Sequence, residues 1–328
     1  MSEKKTVSDF RYNSGEAKVS WAAIGEIIRQ DEIIGLVKFL MAPAGGKEKE
    51  YDAQVEKVEA EIAQLVKVGK PAGKLSLGNQ VQQLEAKAAK FLGAKYATFL
   101  TNCTAGFEIA HQYAGLKAGD EVIVPAITFI ATIAYPLSVG AKVVLADVDP
   151  QTLNMDPKDV ARKITPKTKV IMPVHIGGYP VDLDPIMKLA KEHDITVIED
   201  GAHAFGGSYK GRMIGTIGHF GAFSFHEVKN ITSLGEGGIL CTNLDFGEEF
   251  GKSRFLGLDP SKQIQNWLYD VVAVKGKQGL FVPGNHSSTE VQALCLLAQM
   301  DRLETIIAKR KKAAEYLNGR LSQVDGII

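Results

Sequence analysis

From Gly78 onward the apolar residues fall into two alternating kinds of run. Stretches with helical spacing (VQQLEAKAAKFLG, TAGFEIAHQYAGL, TFIATIAYPLSVG, a segment near 157–163, DPIMKLAKEHD) are separated by short, almost unbroken apolar runs: YATFLTN, EVIVPA, KVVLADVD, KVIMPVH and ITVIED. A short continuous run rich in β-branched residues belongs to a strand buried on both faces, because a half-exposed strand would alternate with polar residues. Strands of that kind joined by helices need crossover connections, and so form a mostly parallel sheet. The predicted fold is α/β: a mostly parallel central sheet with helices on both faces.

The run ITVIED stops on two acids. In parallel sheets strand ends of this kind open into the crevice where ligands bind, so Asp200 is expected at its floor. A second apolar run, residues 221–225, is followed four residues later by Lys229, by glycines at 235, 237 and 238, and by the strand-like GGILCTN. Lys229 is either a solvated loop lysine or a partner of Asp200. One chemistry needs both groups: pyridoxal phosphate, held as a Schiff base by a lysine amine, with a carboxylate keeping its pyridine nitrogen protonated. Ser224, five residues before Lys229, could then offer a hydroxyl to the phosphate.

Other candidates lie at neighbouring strand ends. NCTAG at 102–106 joins a strand to a helix start, where free amides and the helix dipole favour an anion; Thr104 is either a phosphate donor or an ordinary N-cap. Phe129 in PAITFIAT is either a core residue or a ring laid on the cofactor's face. His203, three residues past Asp200, is either structural or a contact to cofactor or substrate, and His226 is a further candidate.

EDGAHAFGG, followed by YKGRMIGTIGHFGAFSFHEVKN and GEGG, resembles the central block of the DegT/DnrJ-type aminotransferases, and the likeness runs in order from about Gly78 to about Leu303. Among them it resembles the arabinose-type sugar enzymes. The resemblance implies a fold-type I aminotransferase that uses pyridoxal phosphate, bound covalently by Lys229 with Asp200 on the ring nitrogen. It also implies Thr104 and Ala105 as the phosphate-binding pair, Ser224 beside them, Phe129 stacked on the ring and His203 as a further contact. The implied reaction moves an amino group from glutamate or glutamine to a nucleotide-linked keto sugar or keto-cyclitol, in a homodimer with shared active sites. GNHSSTEVQA matches the outline of the loop that reaches the neighbouring subunit's cofactor phosphate. Ser287 stands where family members carry arginine or asparagine, so that contact is either weaker or supplied by Asn285. Relatives of the family that act as dehydratases replace the lysine by histidine, and Lys229 argues against their chemistry. Aminoshikimate-type synthesis and a non-catalytic pyridoxal-phosphate-binding regulator are the alternatives. A nicotinamide enzyme is disfavoured, since no G-x-G-x-x-G follows the first strand.

Composition narrows partners and compartment. The 328 residues carry 38 basic and 38 acidic side chains with no long block of either sign, which disfavours nucleic acid or an anionic membrane as main partner. Cys103, Cys241 and Cys295 are far apart in or beside apolar runs, as reduced core thiols are. MSEKKTVSDF is polar and no apolar run reaches the roughly 20 residues of a membrane span, so a cytoplasmic protein is expected. The organisation expected is a helical arm over 1–77, with helices over 19–40 and 51–69; a large cofactor-binding domain over 78–255; and the start of a small C-terminal domain over 256–328, incomplete beside the family pattern.

Overall fold

The computed structural model describes residues 28–69, 75–245, 249–258 and 273–326. The chain divides into two compact units, Met1–Leu75 and Ser76–Ile328. In the first, α1 (Gln30–Leu40) packs on α2 (Glu48–Val68) around buried Ile34, with an ion pair of 2.9 Å between Lys38 and Glu59. The start of α1 is held by Glu32, whose carboxylate accepts the Arg29 amide at 2.8 Å. The helix expected over 19–40 is observed from Gln30; residues 19–27 lie outside the described residues.

The second unit opens with α3 (Asn79–Leu92), β1 (Tyr96–Leu100), α4 (Cys103–Ala114), β2 (Glu121–Pro125), α5 (Ala131–Ser138), β3 (Lys142–Ala146), α6 (Pro157–Lys163) and β4 (Thr168–Ile171). After a 3-10 turn at Ile176–Gly178 come α7 (Leu183–Glu192), β5 (Thr196–Asp200), the two-residue strands β6 (Ser208–Tyr209) and β7 (Arg212–Met213), β8 (Phe220–Ser224) and β9 (Gly238–Thr242). The chain continues through α8 (Glu249–Lys252), the hairpin β10 (Val274–Gly276) and β11 (Gly279–Phe281), α9 (Glu290–Met300) and α10 (Leu303–Leu321).

Seven strands form one sheet in the order β1-β9-β8-β5-β4-β2-β3. Strands β3, β2, β4, β5 and β8 pair in parallel, and β9 runs antiparallel to both β8 and β1, so β1 shares the direction of the other five. This is the expected mostly parallel α/β sheet, and the helices cover both faces. On one face Phe107, Ile109 and Ala110 of α4 pack on Leu100, Val122, Ile198, Ala222 and Leu240. On the other, Val81 and Leu84 of α3 and Ala293 and Leu296 of α9 pack on Phe99, Phe223 and Ile239, while Ile186 of α7 packs on Ile123, Ile171 and Val197. Side chains alternate along a strand, so Asp200 shares the α4 face with Ile198, and Glu199 points the opposite way.

Local differences from the sequence pattern have local causes. The helix expected over 128–140 begins only at Ala131, because residues 126–130 form a turn. The stretch 247–258 is helical only over Glu249–Lys252, with 246–248 outside the described residues. The β6–β7 and β10–β11 pairs are too short to show a period of two. Among the described residues no helix is long and apolar enough to cross a membrane.

One buried charge ties the ends of this unit together. Gly78, the N-cap of α3, offers no side chain, and Glu290 of α9 takes that place: its carboxylate accepts the amides of Gly78 at 2.7 Å, Gln80 at 2.8 Å and Val81 at 3.4 Å. Removing it leaves first-turn amides unpaired in a buried setting. Glu290→Ala is expected to lower the unfolding free energy by about 1–3 kcal/mol, read from the denaturant midpoint; an unchanged midpoint would show that water replaces the carboxylate at no cost.

Candidate active site

The parallel strands β1, β2, β4, β5 and β8 end on the same edge of the sheet, where β9 begins. The segments that leave this edge enclose a cavity of about 460 Å³. Asn102, Cys103 and Thr104 enter it from the start of α4, Phe129 from the turn after β2, and Val174 to Ile176 from the segment after β4. Asp200, Ala202 and His203 come from the end of β5, and Ser224, His226, Val228, Lys229 and Glu236 from β8 and the loop beyond it. Seven residues singled out in the sequence (Thr104, Phe129, Asp200, His203, Ser224, His226, Lys229) therefore line one space. Ala105 and Asn285 do not.

At the start of α4 the sequence left open whether Thr104 is a cap or an anion donor. Asn102 is the N-cap, its Oδ1 accepting the Ala105 amide at 2.9 Å. Thr104 is the second helical residue and is exposed to the cavity. Ala105 faces the core, 5% exposed, with its amide committed to Asn102. The helix N-terminus carries partial positive charge, so the cavity has an anion-favouring end.

The loop after β8 is folded back on itself. Phe225 donates to the Gly237 carbonyl at 2.8 Å, and its own carbonyl accepts Ser233 N and Thr232 Oγ1, each at 3.0 Å. The Glu227 amide reaches the Gly235 carbonyl at 3.1 Å, Gly235 turning with φ +104° as only glycine does readily. Lys229 N donates to the His226 carbonyl at 2.9 Å, and Gln292 Nε2 of α9 holds the Glu236 carbonyl at 2.9 Å. The lysine thus rides on a braced turn. Gly238 follows, and a Cβ there would overlap the backbone of Asn102 and Cys103, so the close approach of β9 to the start of α4 depends on its being glycine.

The two acids that end β5 have different surroundings. Glu199 is fully buried on the face away from α4, accepting the amides of Gly215 and Ile217 at 2.8 Å and Gly218 at 2.5 Å, with His175 Nε2 at 3.2 Å. The Val181 amide donates to His175 Nδ1 at 3.1 Å, which places the ring proton on Nε2, facing Glu199. Asp200 is 4% exposed and accepts Thr132 Oγ1 at 2.9 Å and the Ala202 amide at 3.1 Å. Burial pushes its carboxyl above the usual range, opposed by those two bonds. Burial also raises the Cys103 thiol well above its ordinary value, an effect that the Asp200 charge adds to and Lys229 offsets. His203 is pushed down by burial first and by the Lys229 charge second.

Cys103, His175, Thr132 and Glu236 were not singled out in the sequence. KVIMPVH carries the same signal as ITVIED, an apolar run ending on a polar residue, and it could have found His175. Asn285 lies on an extended segment bridged to Phe255, its Oδ1 accepting the amide and hydroxyl of Ser287 at 3.2 and 2.7 Å, so within one chain it is folded onto its own loop. Among the described residues no group of His, Cys, Asp or Glu is placed to hold a metal ion.

A parallel sheet whose edge gathers a buried acid, a lysine and a helix N-terminus has the architecture of fold-type I aminotransferases. The chain belongs to the DegT/DnrJ/EryC1/StrS aminotransferase family, whose model matches residues 56–328. It is 39% identical over 265 residues to the spore coat polysaccharide biosynthesis protein SpsC of Bacillus subtilis (strain 168), covering 78% of this chain and 65% of SpsC. Among solved structures it is similar to 3-amino-5-hydroxybenzoic acid synthase, at 33% identity and TM-score 0.69 over 77% of this chain and 64% of the synthase. It is also similar to Spr1654 of Streptococcus pneumoniae in its PLP form, at 30% identity and TM-score 0.68 over 81% and 69% of the two chains. The chain spans less than two thirds of the length of SpsC and of the synthase. The family is one of pyridoxal-phosphate-dependent sugar aminotransferases.

Gly238→Ala is expected to destabilise the unit by roughly 1–3 kcal/mol, since a backbone clash forces β9 off the helix start. The check is a thermal melt; an unshifted Tm would mean that the close approach is dispensable.

Proposed function

We propose that this chain carries the cofactor site of an aminotransferase that moves an amino group from glutamate or glutamine to a nucleotide-linked keto sugar or keto-cyclitol. The observation that carries the reading is that Lys229 and Asp200 line one cavity of about 460 Å³ against a helix N-terminus. The residues fit pyridoxal phosphate. A buried carboxylate whose charge is disfavoured gains from a cationic ring nitrogen, and the amides and Thr104 hydroxyl at the α4 start, with Ser224, suit a phosphate. Phe129, 72% exposed, has a ring face free to lie on a flat ligand. The likeness to a polysaccharide biosynthesis protein supports a sugar acceptor.

Pyridoxal phosphate, when bound, supplies a conjugated ring that takes up the electron pair left when the donor's α-carbon loses its proton. Lys229 Nζ would hold it covalently and, once free, would take the proton from the donor's α-carbon. In the second half-cycle it returns a proton to the acceptor's carbon, and positioned transfer of this kind contributes about 10² to 10⁴-fold in rate. Asp200 keeps the ring nitrogen charged, His203 borders the reacting face, and Asn285 would reach the cofactor phosphate of a second subunit in a homodimer. A soluble enzyme of the cytoplasm is the setting that this chemistry and the balanced charge suit. The likeness to 3-amino-5-hydroxybenzoic acid synthase supports a second reading, an aminoshikimate-type synthesis in place of sugar amination. Glutamate-dependent amination assayed beside water release separates the two.

Lys229→Ala is expected to abolish the visible absorbance of lysine-bound cofactor and the borohydride-fixed mass at residue 229. Persistence of the absorbance, with the borohydride-fixed mass at a different residue, would assign the cofactor to another lysine. Asp200→Asn is expected to leave the melting of the cofactor-free protein within a few degrees of the parent while turnover falls by about two orders of magnitude or more. Parent-like turnover with cofactor bound would remove Asp200 from its role.

A further inference from the structure

Two threonines stand behind the cavity wall, and one of them touches Asp200. Thr132, fully buried in the first turn of α5, does not line the cavity, yet its hydroxyl donates to Asp200 Oδ2 at 2.9 Å. Its Oγ1 lies 2.6 Å from that of Thr128, and its amide donates to the Phe129 carbonyl at 3.1 Å. A hydroxyl has one proton. With the Thr132 proton committed to the carboxylate, the short Thr128 contact has to be donated by Thr128, so the bonds run in one direction, Thr128 to Thr132 to Asp200. Negative charge at the end of the chain selects that direction, whereas a neutral Asp200 could donate back and reverse it.

We propose that Thr132 is a positioning residue for Asp200. Its hydroxyl, oriented by Thr128, holds the carboxylate ionised and in one rotamer facing the cavity, and ties it to the turn that presents Phe129. A valine would fill the same volume, so packing alone does not explain a threonine here; what the hydroxyl adds is a hydrogen bond to the charged form. The titratable groups around Asp200 are Cys103 from α4, His175 after β4, His203 beyond β5 and Lys229 from the loop after β8. Among the described residues the bonds to its carboxylate oxygens come from Thr132 and the Ala202 amide. The catalytic meaning of this arrangement rests on the cofactor reading above, but the coupling between the two side chains does not.

The test is carboxyl carbon-13 NMR of the cofactor-free full chain labelled at aspartate, with Asp200→Asn to assign the signal. Thr132→Val removes a donor to the ionised form, so the Asp200 titration moves up by about one to two pH units. Thr132→Ser keeps the parent titration, and Thr128→Val moves it the same way by less. An unmoved titration in folded Thr132→Val, or in Thr128→Val should the first fail to fold, overturns the proposal. In the loaded protein, absorbance titration with pyridoxal phosphate is expected to show about tenfold weaker binding in Thr132→Val, shrinking below about threefold in an Asp200→Asn background, where no charge remains to be held. If the parent binds pyridoxal phosphate at Lys229 and neither readout moves, only this proposal falls. If the titration moves and no cofactor attaches at Lys229, the cofactor reading falls and the coupling stands.

Discussion

Holding a carboxylate at 4% exposure at the end of a central strand raises the energy of its charged form, and the sheet edge is arranged around that constraint. The two acids of β5 meet it differently. Glu199 accepts three amides and a histidine N–H, which fills the roughly four acceptor positions of a carboxylate and closes its network. Asp200 accepts from one hydroxyl and one amide and keeps room for another donor. Glu199 has the environment of a structural anchor, holding the 215–218 turn and His175 against β5. Asp200 has the environment of a group that a ligand completes, and a cationic N–H is the donor that would relieve most of its burial cost.

Bringing a lysine to that acid is a problem of strand order. β8 pairs in parallel beside β5 with Ala222 opposite Asp200, so the loop that leaves Ser224 starts one strand away on the same edge. β9 returns antiparallel and separates β8 from β1, yet α4, which leaves β1, leans back across β9 and β8. It can do so because Gly106 faces Ala222, where an added Cβ would sit only 3.2 Å from that alanine's Cβ, and because Gly238 lets the strand backbone touch the helix start. Two small contacts therefore decide that the helix N-terminus, the acid and the lysine open on one space.

The sequence made the sheet legible because unbroken apolar runs and helical spacing are long, repetitive signals, and it made Asp200 and Lys229 legible because each follows such a run. Thr132 was not legible: a threonine inside TFIATIAYPLSVG has no pattern to mark it, and its importance arises only when α5 is laid beside the end of β5. The roles of Asn102 and Thr104 at the start of α4 needed coordinates for a similar reason, since capping depends on φ and ψ at one residue. Glu290 escaped notice because its partners are more than 200 residues away in the chain. The β6–β7 and β10–β11 strands carry too few residues to show any period.

Exposure around the cavity bears on how many chains complete the site. Phe129 and Val228, which line the cavity, are each 72% exposed, and Ile130, next to Phe129 in the chain, is 59% exposed, whereas Asp200 is almost dry. Large apolar side chains left exposed lower the free energy only when something covers them. In the homodimer proposed above, a second subunit would cover them, with its Asn285 at the phosphate end. The exposed side chains accord with that proposal, because covering them would lower the free energy of the pair.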